Sequence, residues 1–188
     1  MIIYKRSNPR IAAEQKGQGM DREDRHVRLY SGVYARPVLV RGLRILDKVA
    51  VALIGAAFAY ALIVLLWAGE YPSLFKLLAF SAVPFIAVSL MRSLINCKRP
   101  YEVYDCEALR EMSVGRKKGH SFPSRHVFSA FLIGTLWLMY SPYVGCAVLV
   151  LGVFLAFERA LLGIHFARDV LAGAVIGIVS GLVGVLIW

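Results

Sequence analysis

Charged residues are absent from long stretches of this chain. Of its 188 residues, 59% are hydrophobic and only 18% are Asp, Glu, Lys or Arg. The run from Val49 to Ala68 contains no charge and is long enough to cross a bilayer. Soluble domains of this size rarely carry so much apolar sequence. The composition therefore excludes an ordinary soluble domain and favours a membrane protein with several spans.

Cysteine is also scarce, and its spacing excludes a cysteine-based metal site. Cys97, Cys106 and Cys146 are odd in number and lack metal-binding spacing. We predict that Cys97 and Cys106 are ordinary thiols and not a disulfide. Internal repeats and low-complexity segments are missing, and residues 1–45 lack the apolar core and cleavage site of a secretory signal.

The apolar runs predict an all-α transmembrane bundle of about five spans. The predicted spans are Val49–Ala68, Leu74–Met91, Val127–Tyr140, Tyr143–Phe157 and Val170–Trp188. Glycines recur at helical spacing in the last span, which is typical of closely packed membrane helices. Residues 92–123 form a long polar connector, and loops of that length in a compact domain are usually functional.

The chain is predicted to have two regions. Residues 1–48 are expected to form a polar tail and an amphipathic interfacial segment, and residues 49–188 a membrane-embedded domain. Within the first region, residues 1–26 predict a mobile tail. Residues 27–48 mix apolar and basic side chains, which suits a segment lying along the membrane surface. Pro37 is expected to divide that segment.

The basic residues are distributed unevenly. Five spans place the N-terminal region and the connectors 92–126 and 158–169 on one face of the membrane. That face then holds all of the 22 Lys and Arg residues except Lys76. The positive-inside rule makes it the cytoplasmic face. We therefore predict a multi-pass protein of the cell membrane, with no nucleic-acid partner. A functional site formed by these connectors would face the cytoplasm.

Three short segments at the ends of the spans combine arginine with proline, serine, histidine or aspartate. In chain order they are Arg92-x6-Arg99-Pro100, Pro123-Ser124-Arg125-His126 and Arg159-x5-His165-x3-Asp169. Any one arginine at a span end could be an interfacial anchor, and any one histidine could be incidental. The three segments occur together on one predicted face of the membrane. This combination indicates a site that binds and cleaves a phosphate.

Cleavage of a phosphate ester requires positive groups for the phosphate oxygens, a nucleophile, and an acid for the leaving group. Arg92, Arg99 and Arg159 suit the first task, because guanidinium is permanently charged and can bind phosphate in a bidentate way. The hydroxyl of Ser124 and the amides of residues 124–126, at an expected helix start, would add donors.

His165 and Asp169 are four residues apart, so a helix would place them on one face. A carboxylate bonded to one ring nitrogen leaves the other nitrogen free as a nucleophile, and His126 then takes the acid role. A single acid among several arginines does not suit a divalent cation. We therefore expect neither a metal nor another cofactor.

The three segments resemble the signature motifs of the type II phosphatidic acid phosphatase superfamily, over about residues 49–188. The matching residues, with every spacing within the motifs kept, are Arg99, Pro100, Pro123, Ser124, His126, Arg159, His165 and Asp169. The resemblance implies a metal-independent membrane lipid phosphatase in which His165 becomes phosphorylated, Asp169 supports it and His126 protonates the leaving group. It also implies that the phosphate is held by Arg92, Arg99, Ser124, Arg125 and Arg159.

The chain departs from these motifs at three positions. Arg92 stands where the family has lysine, Glu158 where it has serine, and Arg125 where it has glycine. Arg125 adds bulk and charge beside the phosphate. We hypothesise that it contacts a second phosphate or an anionic headgroup, which would favour a diphosphate lipid. Family members often have six spans and an outward-facing site, whereas this sequence predicts five spans and an inward-facing site.

Several substrates remain open, namely phosphatidic acid, phosphatidylglycerol phosphate and a polyprenyl diphosphate. The alternative function is a non-catalytic protein that binds or transports lipid phosphates on the same fold. The presence of His126, His165 and Asp169 argues against that alternative. Haloperoxidase chemistry, which also occurs in the superfamily, normally belongs to larger soluble chains, and the hydropathy of this chain excludes it.

Overall fold

The computed structural model describes residues 24–187, and this part of the chain consists of α-helices and loops, without strands. The helices are α1 (residues 24–34), α2 (Pro37–Trp67), α3 (Tyr71–Ile95), α4 (Pro100–Val103), α5 (Glu107–Ser113), α6 (Arg125–Tyr140), α7 (Pro142–Leu161) and α8 (Ala167–Ile187). The predicted all-α architecture is confirmed.

Among the described residues, α2, α3, α7 and α8 are long and apolar enough to cross a membrane. Their outer faces expose large apolar side chains, such as Ile63, Phe75, Val150 and Leu186, which suits contact with lipid. The third predicted span, α6, has only 16 residues. That length gives about 24 Å of helix, against a hydrocarbon core of about 30 Å. The multi-span bundle is confirmed, with one short helix in the place of a full-length span.

α6 lies at the centre of the bundle and packs mainly against α7 and α8. Its side chains from Val127 to Trp137 are mostly buried and contribute to three apolar clusters. α8 approaches closely because its glycines face α6. A Cβ on Gly177 would lie 2.5 Å from the carbonyl oxygen of Phe128. The close packing predicted from the glycine spacing is therefore confirmed.

Two helix boundaries differ from the predicted ones. Residues 37–48 are the first turns of α2 and continue into the first span. α3 runs through Pro84 to Ile95, so Arg92 lies in its last turn and not in the connector. The helix ends at Asn96, whose backbone is left-handed with φ of 44°. Cys97 and Cys106, in the connector, are free thiols as predicted.

α1 packs against the loop that follows α7. It ends just before Pro37, as predicted, because proline lacks an N–H and disfavours helical backbone in the preceding residue. Tyr30 is buried in a cluster with Leu109 and Leu162, and the Tyr34 hydroxyl donates to the Leu162 carbonyl at 3.0 Å. Of the predicted tail, residues 1–23 lie outside the described range, and residues 24–26 lie in α1.

Candidate active site

The predicted site residues lie at one end of the bundle. Hydrogen bonds there join the end of α3 to the start of α6, and the start of α6 to the start of α8. Arg92 lies in the last turn of α3, Arg99 just before α4, Ser124, Arg125 and His126 at the start of α6, Arg159 in the last turn of α7, His165 in the next loop, and Asp169 in the first turn of α8. The fold therefore brings together segments that are far apart in the sequence.

His165 and Asp169 are almost completely buried, with 3% and 0% of their side chains exposed. His165 lies just before α8, so the pair is not on a helix face as the spacing suggested. The distance from His165 Nδ1 to Asp169 Oδ2 is 3.9 Å, which is too long for a direct hydrogen bond. The hydroxyl of Ser121 lies between them. It donates to Asp169 Oδ2 at 2.5 Å and is 3.3 Å from His165 Nδ1.

Sequence reasoning missed Ser121. The residue lies only three positions before Ser124, and its hydroxyl type is the one signal that could have drawn attention to it. Its position between His165 and Asp169 depends on how the connector folds back over α8. No spacing in the sequence encodes that approach.

The start of α6 offers hydrogen-bond donors to an anion. The Ser124 amide donates to the Asp169 carbonyl at 2.9 Å, which fixes the start of α6 against α8. Ser124 Oγ is buried and has no hydrogen-bond partner in the described part of the chain. The first amides of a helix also lack partners within the helix, and the helix dipole favours an anion there. This arrangement suits a phosphate.

Arg92 and Arg99 hold the loop in front of α6. Arg92 is buried and donates from Nη1 to the Pro123 carbonyl at 2.8 Å. Arg99 donates from Nε to the Gly119 carbonyl at 3.0 Å. A guanidinium carries five N–H groups. Both arginines can therefore bind phosphate oxygens while they hold the loop.

Arg159 is paired with Asp47, an acid that sequence reasoning also missed. Arg159 Nη2 lies 2.6 Å from Asp47 Oδ1, while the buried Nε of Arg159 has no partner within residues 24–187. Asp47 stands beside the first apolar run, where a charge is costly without a partner. A charged residue in that place was the sequence feature that could have drawn attention to Asp47. Glu158 is 1% exposed and lies close enough to Asp47 and Arg159 to interact with both electrostatically.

Burial lowers the pKa of the His165 imidazole below its ordinary value. The charges of Arg99, Arg92 and Arg159 lower this pKa further, while Asp169 opposes the shift. These effects together favour the neutral form of the ring. A neutral imidazole has one nitrogen with a free lone pair, as a nucleophile requires.

An apolar cavity of about 320 Å³ opens beside the start of α6. Arg125 and His126 line it together with apolar residues of α2, α3, α6 and α7. A second apolar cavity, of about 270 Å³, shares Phe85, Ser129 and Ile133 with the first and extends it along α6.

The Arg125 side chain makes no hydrogen bond or salt bridge with another described residue. Its charge lies within reach of Arg92 and His126.

Fold and site together define a multi-pass helical membrane protein with a buried histidine among arginines at the end of the bundle. A family model of the PAP2 superfamily matches residues 73–188, a range that includes every predicted site residue. The chain belongs to this superfamily. The predicted resemblance to type II phosphatidic acid phosphatases is thus confirmed.

Two solved structures share the fold. LpxE from Aquifex aeolicus superimposes with a TM-score of 0.61 at 23% identity, covering 80% of this chain and 87% of that one. A PAP2-type phosphatidylglycerolphosphate phosphatase from Bacillus subtilis superimposes with a TM-score of 0.60 at 18% identity, covering 94% of this chain and 89% of that one. The bacitracin transport permease protein BcrC of Bacillus licheniformis is 38% identical over 63 residues. That alignment spans 34% of this chain and 31% of the relative.

Proposed function

We propose that this protein is a membrane lipid phosphatase that hydrolyses a lipid phosphate or diphosphate through a phosphohistidine at His165. One observation carries the proposal: His165 is buried at the end of the bundle where the three predicted arginines and the start of α6 meet. Membership of a phosphatase superfamily supports the reaction class.

The mechanism has two steps. First, the free ring nitrogen of His165 attacks phosphorus, a P–N bond forms, and the bond from phosphorus to the lipid oxygen breaks. His126 donates a proton to the departing oxygen. Water then attacks the phosphohistidine, His126 accepts a proton from that water, and the P–N bond breaks to release phosphate. The arginines and the N-terminus of α6 stabilise the charge on the phosphate oxygens in both steps.

The two neighbouring apolar cavities support a lipid as the substrate. Arg125 and His126 line the first of them, so an apolar chain can lie there while its phosphate meets the basic residues. The candidates are phosphatidic acid, phosphatidylglycerol phosphate and a polyprenyl diphosphate. The solved phosphatase from Bacillus subtilis, whose name includes phosphatidylglycerolphosphate, supports the second of these. Metal independence and a cytoplasmic site stay predictions.

Phosphate release from purified protein in detergent tests this function. The assay contains EDTA and offers each of the three candidate lipids separately. We expect release from at least one lipid, unaffected by chelation. Folded protein that binds these lipids but releases no phosphate from any of them would support the alternative, a non-catalytic lipid-phosphate binding protein.

Arg125→Gly should reduce the preference for a diphosphate lipid over a monophosphate lipid. The unpaired guanidinium beside His126 is placed to bind a second phosphate, and losing one such contact corresponds to about a 5- to 10-fold change in the ratio of kcat/KM values. Comparing the two lipids with wild type and variant measures this ratio. Arg110→Ala, at an exposed arginine of α5, is the control. An unchanged ratio in Arg125→Gly would rule out the specificity role.

A further inference from the structure

Ser121 lies between two residues that the proposed mechanism uses, although it belongs to none of the three segments found in the sequence. It is 0% exposed and lies in the loop before α6. Its amide donates to the Cys97 carbonyl at 2.9 Å, so the backbone is held independently of the side chain. The hydroxyl is therefore free to serve His165 and Asp169.

The donor and acceptor roles around Ser121 follow from simple counting. A hydroxyl has one proton to donate, and an ionised carboxylate can only accept. The 2.5 Å contact with Asp169 Oδ2 therefore uses the Ser121 proton. Only a lone pair of Ser121 Oγ remains for His165 Nδ1 at 3.3 Å. That contact is a hydrogen bond only when Nδ1 carries a proton.

We propose that Ser121 is a positioning residue that sets the tautomer of His165. His165 Nδ1–H donates to Ser121 Oγ, and Ser121 donates to Asp169. This inference rests on the proposed function, in which His165 is the nucleophile. Protonation at Nδ1 leaves the lone pair on Nε2, the nitrogen that attacks phosphorus. Asp169 acts through the hydroxyl, since its carboxylate is 3.9 Å from the ring.

The carboxylate that receives the Ser121 proton is itself held in place. The Phe166 amide, one residue after His165, donates to Asp169 Oδ2 at 3.1 Å. The same oxygen therefore accepts from both Ser121 and the backbone beside His165. This fixes the imidazole, the hydroxyl and the carboxylate relative to one another.

Ser121→Ala tests the role through kinetics. We expect kcat to fall about 10- to 100-fold with KM within about twofold, because a charge-assisted hydrogen bond is lost while the phosphate contacts remain. Ser121→Thr keeps the hydroxyl and should recover most of kcat. Ser89→Ala removes a buried hydroxyl without a partner in the described chain and serves as the control. Ser121→Ala with wild-type kcat would overturn the inference.

The pH profile separates this role from a purely structural one. Without the hydroxyl, Asp169 loses a donor and can approach the imidazole, which favours the charged ring and raises the pKa of His165. Activity needs the neutral ring, so the acid limb of kcat/KM should move to higher pH in Ser121→Ala. An acid limb at the wild-type position would contradict the inference.

A measurement on the wild-type protein needs no active variant. In protein labelled with ¹⁵N-histidine, the His165 signals are those that disappear in His165→Ala. We expect a protonated Nδ1 and an unprotonated Nε2, and the opposite tautomer would overturn the inference. This outcome can be distinguished from failure of the proposed function. If the function is wrong, the wild type releases no phosphate, but the spectrum still shows which nitrogen of His165 is protonated.

Discussion

Replacing His165 by alanine is expected to remove phosphate release almost completely, by at least about 10⁴-fold in kcat. Alanine cannot form the P–N bond on which both proposed steps depend. The arginines and the start of α6 should stay in place. The hydrogen bond from the His165 amide to the Arg159 carbonyl is a backbone contact that alanine keeps, and the contacts of Arg92, Arg99 and Arg159 with the loop and Asp47 do not involve the imidazole. We therefore expect the variant to bind the lipid phosphate with nearly normal affinity while failing to hydrolyse it.

Two measurements check this expectation. Initial rates with the preferred lipid give the loss in kcat. Rapid quenching in base with ³²P-labelled lipid shows whether a phosphoenzyme forms, and loss of the label in acid identifies it as phosphohistidine. Only the wild type should trap label. His26→Ala is the control, since that ring in α1 packs against Tyr104, with 5.0 Å between ring centroids, and is not one of the predicted site residues. Labelled phosphoenzyme in His165→Ala would show that another residue is the nucleophile.

Gly173→Ala should disrupt both the bundle and the site. A Cβ at this position would lie 2.6 Å from the Ser124 carbonyl oxygen and 3.3 Å from the Phe128 amide nitrogen. Both neighbours are backbone atoms of α6, so no side chain can turn aside and the helices must separate. Overpacking of this kind costs about 1–3 kcal/mol of stability. Activity should fall about 100-fold, because the movement separates Asp169 from Ser124.

Thermal unfolding and kcat of the same preparations measure these two effects. Gly42→Ala is the matched control, because a Cβ there meets nothing within 4 Å. Alanine is also the better helix former by about 1 kcal/mol, so this control should be as stable as the wild type or more stable. A Gly173→Ala protein with wild-type stability and activity would mean that the contact between α6 and α8 is not close.

Sequence patterns predicted those parts of the molecule that local spacing determines. Apolar runs mark the helices because a membrane span needs about 20 apolar residues, and the runs around Ile63 and Val175 meet that need. The glycines of α8 predicted close packing because their spacing follows the helical period. The three arginine-containing segments predicted a common site because each lies at a span end on the same face.

Other parts depend on contacts that the sequence does not display. Ser121 reaches Asp169 only because the connector folds back over the start of α8. Asp47 and Arg159 meet across α2 and α7, so neither local spacing nor periodicity reveals the pair. Arg92 was expected in a loop because arginine is rare in spans. It is accommodated in α3 because the Pro123 carbonyl accepts its hydrogen bond.

The site is built from loop and helix-end contacts, and this has a practical consequence for handling the protein. Ellipticity reports the hydrogen bonds within each helix, and these do not depend on how the helix ends meet. The geometry of the candidate site depends on single contacts between separate helices, such as Ser124 to Asp169 and Arg92 to Pro123. A detergent-extracted sample can therefore keep its full helical ellipticity after these contacts between helices are lost. Turnover, and not circular dichroism, is the criterion by which a detergent should be chosen.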